Sequence, residues 1–356
     1  MTFLPMRAGG GMASSLAGPS NRDALVFPMT KVLLLGLGRW GVNHLRILNA
    51  MPVELYVADV DAKRLEPARK LGLPDSRLIT NYKDWVSKVN CVVVVTPAQT
   101  HFPICQEFLQ AGKDVFVEKP ITLVSDEARK LTDLAAKHRR ILQAGHIFRF
   151  DPASQWLRDA MQAGQFGRVQ MLRSNFSGFK RPRNDSGVMF ADAIHFVDLF
   201  NYFMGKTPVR VLAATQDFLG RGLEDASLLS LEYKNDGGVT WATVETNYFL
   251  PGKFREVTVI GSKLSAVCDY NVAQYKIKTF ANRHVKEGND FKAIEGTLHQ
   301  VESPPEEPLL AELRAFADSV QTRKAPRADG SAGVDSVRVL EAALESAKTG
   351  RTVEVR

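Results

Sequence analysis

The stretch "KVLLLGLGRWGVNHLRIL", residues 31–48, decides the fold. An apolar run stops at Gly36, and Gly36, Gly38 and Gly41 fall in the G-x-G-x-x-G pattern between a strand and a helix. Glycines at this spacing let the backbone approach a pyrophosphate, and the helix N-terminus adds amide groups and a favourable dipole. The pattern alone is weak, since a tight turn also selects glycine. Asp59, however, closes the next strand 18 residues after Gly41, where a dinucleotide fold needs a carboxylate for the ribose. An acid there repels a 2′-phosphate and favours NAD, while Lys63 and Arg64 keep NADP open.

Outward from this stretch the chain alternates. Segments 31–36, 53–59, 91–96, 114–119 and 140–145 read as continuous apolar strands, and 61–72, 100–111 and 124–138 carry helical spacing. Such strands imply a parallel sheet covered on both faces, so residues 29–150 are expected to form a doubly wound α/β (Rossmann) domain that binds NAD(P). After "FRFDPA" (148–153) the alternation stops. Segments 168–178, 208–218, 225–233, 237–249, 252–261 and 263–270 read as strands of a large open, mainly antiparallel sheet, with turns at 235–238 and at Pro251-Gly252. Helices are expected over 306–322 and 331–348. Residues 151–356 thus form an α+β substrate-binding and oligomerisation domain, whose final helices are placed to pack back on the first.

Composition agrees with a two-domain globular protein of 356 residues, 45% apolar and 24% charged. No run approaches the ~20 apolar residues of a membrane span. The three cysteines match neither a disulfide framework nor a zinc site, which leaves no metal centre and suits a cytoplasmic location. A net charge of +7 without Lys/Arg runs interleaved with aromatics argues against nucleic acid and for an anionic small molecule. Residues 1–28, rich in Gly, Ser and Pro, read as a disordered extension upstream of a start at Met29; a mitochondrial presequence would be richer in Arg and amphipathic.

Two further stretches carry chemistry. "DVFVEKPITL" (114–123) drives Glu118 and Lys119 to the end of a core strand, and ligands of doubly wound sheets bind outside those ends. "GVMFADAIHFVDLFNYFMG" (187–205) is an apolar helix on which Asp192, His195 and Asp198 recur three apart, on one face. A structural hydrogen-bond ladder and a functional row both fit that pattern.

With "GLGRWGVNH", "TPAQTH" (96–101), "EKP" (118–120), "GHIFRFDPA" (145–153) and "GVMFADAIHFVD" (187–198), taken jointly and in order, the chain resembles the Gfo/Idh/MocA oxidoreductases from about residue 30 onward. The resemblance implies a Rossmann domain followed by an open-sheet domain, and a homodimer or homotetramer. It makes Lys119 the catalytic lysine, followed by a cis peptide at Pro120. It adds Arg39 and Trp40 to the cofactor loop, lines the cofactor cleft with Thr96, Pro97 and His101, and puts Glu118 near the ribose and nicotinamide. Many members carry D-x-x-x-H on the helix, but four residues before His195 stands Ala191, with Asp192 one position late. One position is about 100° around a helix. Either Asp192 reaches the site by another path, or Lys119 and His195 suffice.

The implied reaction oxidises a secondary alcohol with hydride transfer to a nicotinamide. His195 is the expected base, because its ordinary pKa lies near ~6.5, and Lys119 stabilises the alkoxide; some relatives give the lysine the proton instead. Arg149, Arg181 and Arg183, the last two in the basic loop "GFKRPRND" (178–185), are the expected substrate ligands, although such loops are often merely solvated. The stretch 244–263 is similar to UDP-N-acetylglucosamine 3-dehydrogenase-like members, which favours a nucleotide sugar oxidised at its 3-position over a free sugar or inositol. An NAD-dependent glycosidase and a non-catalytic NAD(P)-binding regulator are the competing classes. Regulators tend to lose the lysine, which is present here.

Overall fold

The computed structural model describes residues 30–235 and 237–356; the expected extension over 1–28, and Asp236 of the expected turn, lie outside them. Strands β1 (Lys31–Leu35), β2 (Glu54–Ala58), β3 (Leu78–Ile79), β4 (Cys91–Val94), β5 (Asp114–Glu118) and β6 (Leu142–Gly145) form one parallel sheet in the order β3-β2-β1-β4-β5-β6. The order reverses between β1 and β4, so a crevice opens outside their carboxyl ends. Both faces of these strands are apolar because both are covered. Val32 and Leu34 pack into one cluster with helices α1 (Gly41–Ala50) and α2 (Glu66–Lys70). Leu33 and Leu35 pack into the other with α3 (His101–Gln110) and α4 (Ser125–His138). The helix expected over 61–72 is broken into a 3₁₀ turn, Ala62–Leu65, and α2, with Pro67 in the first turn of α2, where a proline is tolerated.

The chain then crosses through α5 (Pro152–Gln162), β7 (Val169–Asn175) and α6 (Ile194–Met204) into a second sheet. Its other strands are β8 (Arg210–Gln216), β9 (Ala226–Asn235), β10 (Gly238–Asn247), β11 (Glu256–Gly261), β12 (Ser265–Asp269) and β13 (Ile277–Phe280). A hairpin of β14 (Arg283–Glu287) and β15 (Asp290–Ile294) stands apart, and β16 (Leu298–Val301) rejoins the sheet. The helices α7 (Pro308–Thr322) and α8 (Gly330–Thr349) and the short β17 (Val353–Glu354) end the chain. The nine strands run β16-β13-β12-β11-β7-β10-β9-β8-β17, antiparallel except for the pair β7–β10. Alternate residues such as Leu229, Leu231, Ala242 and Val244 bury against α6 and α8, while Met171, Leu212, Leu228 and Trp241 stand exposed on the other face.

Sequence periodicity missed β3 and β17, which are two residues long, β14 to β16, whose polar and exposed residues carry little alternation, and β13, whose alternation runs for only four residues. Of the terminal helices, α7 packs on the first half, and α8 lies between the two, against α4 of the first half and against β8 and α6 of the second. On α7, Leu309, Leu313, Phe316 and Val320 complete the core over β1 and β2, and Arg323 beyond its end pairs with Asp114 of β5 at 2.7 Å.

Candidate active site

The glycine loop is built to admit a ligand at one position. Gly36 has φ +100°, and a Cβ there would lie 2.6 Å from the Val95 carbonyl oxygen; one on Gly41 would lie 2.0 Å from that of Gly36. These two glycines let the loop fold. A Cβ on Gly38 meets nothing within 4 Å, so its backbone faces open space. The first turn of α1 carries neither a side-chain cap nor an acid, which leaves its amides and positive dipole end for an anion. Arg39 and Trp40 are exposed beside it. Asp59 is buried, and its two oxygens accept from the Leu37 and Asp61 amides at 2.8 and 2.9 Å, fixing the acid beside the loop. Glycine loop, free helix end and acid fit the pyrophosphate and ribose of a dinucleotide.

Glu118 turns inward rather than toward a ribose. Its Oε1 accepts from the Trp40 indole at 2.7 Å and pairs with His44 Nε2 at 2.8 Å, while Oε2 accepts from the Lys119 amide at 3.2 Å. Burial disfavours its charge, but the His44, Lys119 and Trp40 contacts outweigh that and hold the carboxyl below its ordinary range. Glu118 therefore ties the glycine loop to the turn that carries Lys119. His101 also departs from its implied place on the cleft wall. It is 1% exposed, with its nitrogens 2.8 and 2.9 Å from the carbonyls of Pro120 and Thr96. Burial lowers its pKa while the two carbonyls, both acceptors, favour the protonated ring; as a neutral ring it donates to one of them and packs against the other. Thr96 is half-buried and Pro97 exposed at the end of β4.

The Lys119–Pro120 peptide is cis, as the resemblance implied. Lys119 Nζ donates to the carbonyl of Ala191, within a π-helical turn, Met189–Ala193, that precedes α6. In that turn the Ile194 amide reaches the Met189 carbonyl five residues back instead of four. The widened turn is the physical answer to the register problem. It re-aims Asp192 while α6 continues in ordinary register, and π-turns of this kind frequently mark functional sites. Asp192 is buried with Oδ2 2.6 Å from Lys180 Nζ, and its charge also acts on Lys119.

Burial pushes Lys119 down to about 8, with Asp192 working against the drop. Burial likewise lowers Lys180, again opposed by Asp192. His195 stacks on Phe176 at 5.2 Å and meets Phe148 edge-on at 5.3 Å. Burial, then the charge of Lys119, drives His195 well below its ordinary pKa, and its buried Nδ1 has no partner among the described residues. This direction runs against the expected role of His195 as a base titrating near neutrality; the groups that act most strongly on it are cations and a second histidine.

Of the arginines, Arg149 is not a substrate ligand. Its guanidinium is buried in a two-pronged pair with Asp198, at 2.8 and 2.7 Å, and donates to the Arg327 carbonyl. Asp198, also held by Ser336, is accordingly the structural member of the row on α6. Arg183 pairs with Asp185 at 2.7 Å, and Arg181 is exposed. The cation of that loop that enters the site is Lys180, whose ammonium also lies 5.1 Å from the Phe176 ring centre. Sequence reasoning named neither Arg255, which lies 3.5 Å over the Phe176 ring, nor Tyr248 beneath Lys180; it singled out the stretch 244–263 that holds both only as a whole. Among the described residues no helix is long and apolar enough to cross a membrane, and no cluster of His, Cys, Asp or Glu is arranged for a metal.

Residues 30–146 match the oxidoreductase family with an NAD-binding Rossmann fold, and residues 158–355 match that family's C-terminal α/β domain. The chain is 28% identical over 319 residues to UDP-N-acetylglucosamine 3-dehydrogenase of Acidithiobacillus ferrooxidans, covering 88% of this chain and 94% of that one. It is 26% identical over 354 residues to scyllo-inositol 2-dehydrogenase (NAD(+)) of Bacillus subtilis, covering 90% and 95%. The solved structure of the Acidithiobacillus enzyme superposes with a TM-score of 0.76 over 91% of this chain and 99% of that one. With its glycine loop open on one face, and with two family domains that together span residues 30–146 and 158–355, this chain belongs to the Gfo/Idh/MocA family of NAD(P)-dependent oxidoreductases.

Proposed function

We propose that the protein oxidises a secondary hydroxyl of a sugar, with the 3-position of a nucleotide sugar as the leading substrate. The observation that carries this is the convergence of Lys119, Asp192, Lys180 and His195 at the carboxyl end of β5. Bound at the glycine loop and Asp59, the nicotinamide dinucleotide supplies the hydride acceptor. The chain's own residues handle the proton. An alcohol becomes a hydride donor only as its proton leaves, and a base works best when its pKa lies near the working pH. Lys119, at about 8, meets that condition and His195 does not. Neutral Lys119 therefore takes the hydroxyl proton, and Asp192 balances the ammonium that results. Neutral His195 orients the alcohol through a hydrogen bond, and Lys180 holds Asp192 in place.

The nucleotide reading rests on the mouth of the site and on the Acidithiobacillus relative's name. Phe179, next to Lys180 in the chain, is exposed, and so are Phe218 and Phe249, whose ring centres lie 5.6 Å apart; the Lys180 amide donates to the Tyr248 carbonyl at 3.3 Å, which sets Phe249 beside that loop. Aromatic faces suit a base, and cations suit a diphosphate. The exposed apolar face of the second sheet is the natural contact for two or four copies of the chain. The test is a panel of UDP-sugars, free sugars and inositols with NAD and with NADP, followed by absorbance of the reduced cofactor. Turnover is expected on a UDP-sugar, and Lys119→Ala should lower kcat by about 10²–10⁴-fold. Turnover confined to free sugars or inositols removes the nucleotide reading, and a fully active Lys119→Ala enzyme removes the mechanism.

A further inference from the structure

Behind Glu118 lies a set of buried polar groups that the reaction above does not use. Glu312 of α7 is 0% exposed, and neither of its carboxyl oxygens meets a hydrogen-bond partner among the described residues. The same holds for Oε1 of Gln143 on β6, for both ring nitrogens of His146 and for Nδ1 of His44 on α1. Several contacts bring these groups together. Gln143 Nε2 donates to the backbone carbonyl of Glu312 at 3.2 Å, and His44 Nε2 lies 2.8 Å from Glu118 Oε1. Gly145, between Gln143 and His146, presses so closely on Glu118 that a Cβ would sit 3.1 Å from its carboxylate. His146 Nε2 is 3.6 Å from Asp198 Oδ1.

The set is short of hydrogen. Gln143 Oε1 and both oxygens of an ionised Glu312 are acceptors, and His146, which burial lowers to about 4, brings as a neutral ring a single N–H. Buried acceptors without donors are disfavoured, and proteins satisfy them with protons or with ordered water. We propose that Glu312 is a positioning residue for the cofactor: this cluster, completed by buried water, fixes Glu118 and with it the Trp40 indole at the glycine loop. Glu312 does so as an uncharged carboxylic acid, which supplies a missing donor. Burial raises its pKa well above the ordinary range, and the carboxylates of Glu118 on β5 and Asp198 on α6 push the same way. The cations nearby are committed elsewhere, Arg149 to Asp198 and Lys119 to the Ala191 carbonyl and Asp192.

The sign of the pH dependence follows. Glu312 has a folded pKa above its unfolded one, so over the interval between them the native state holds a proton that the unfolded chain has lost. Its contribution to stability therefore falls as pH rises through that interval. Glu312→Gln, neutral and similar in shape, removes this dependence. The experiment uses the full chain, with thermal unfolding and NADH fluorescence titration at about pH 5.5 and about pH 8. Glu312→Gln is expected to melt above the unmodified protein at pH 8, by a margin that shrinks at pH 5.5, and to bind NADH within about threefold of it. Glu312→Leu, which cannot donate, is expected to weaken NADH binding by about tenfold or more. If that variant does not fold, Gln143→Leu replaces it with the same expectation. A Glu312→Gln protein with no pH-dependent gain, or a folded Leu variant that binds NADH normally, overturns the proposal. The reading rests on cofactor binding alone, so failure of every sugar tested would leave it standing.

Discussion

Asp192→Asn tests the proton economy of the site most directly. The carboxylate lies 2.6 Å from Lys180 and supports the charge on Lys119, which sits at about 8 despite that help. An opposite charge within a few ångströms moves a pKa by about 1–3 units, so removing it should lower Lys119 to between about 5 and 7. At pH 6 a lysine titrating at about 8 is neutral in only ~1% of molecules, and one titrating at about 6 in roughly half. The acidic limb of log kcat/KM for alcohol oxidation should therefore move from near pH 8 toward acid by that interval. At pH 6 the variant should retain a far larger share of its own plateau rate than the unmodified enzyme does. The plateau itself should fall, because Lys180 loses its partner. Initial rates between about pH 5.5 and 9.5 at saturating NAD measure the limb. The pH dependence of Lys119 acylation by trace acetic anhydride measures the same titration without substrate. A limb that stays in place, or moves toward alkali, refutes Asp192 as the counter-ion; a rate that falls with pH through 8 refutes Lys119 as the base.

Other substitutions separate binding from folding. Gly38→Ala should leave the melting temperature nearly unchanged yet weaken NADH binding by about tenfold or more in a fluorescence titration, since its Cβ would meet only the ligand. Gly41→Ala, whose Cβ would lie 2.0 Å from a carbonyl oxygen, should instead destabilise the fold in thermal denaturation. Arg149→Met leaves Asp198 buried and unpaired, and should cost about 3–5 kcal/mol in chemical denaturation without a selective rise in the substrate KM. Lys180→Met should raise that KM and shift the Lys119 limb far less than Asp192→Asn does.

The cofactor half of the molecule was legible because a few local rules govern it. Continuous apolar strands, the three glycines and an acid after the second strand define β1, α1 and Asp59 without reference to anything distant. Lys119 was legible for a related reason, since ions at the end of a core strand demand a use. What stayed hidden depends on geometry that pattern does not encode. Helical spacing put Asp192 out of register because it assumes an uninterrupted α-helix, and the π-turn at Met189–Ala193 breaks that assumption. Arg149 reads as a ligand from its place after a Rossmann strand, but a carboxylate 49 residues away claims both prongs of its guanidinium. The role expected of His195 rests on an ordinary pKa, whereas burial between two aromatic rings and the charge of Lys119 both push it down.

The seating of α7 has a consequence for how the chain comes to be folded. The core over β1 and β2 is closed by Leu309, Leu313, Phe316 and Val320, side chains made nearly 300 residues after Val32. A nascent first half therefore leaves the ribosome with one sheet face incompletely covered, and it keeps that sticky face throughout synthesis of the second sheet. Contacts of such sequence separation slow folding as a rule, and α7 can dock on the early sheet only after the strands of the second sheet have been made. Cutting the gene at the apparent boundary near residue 150 would separate a sheet from its own lid.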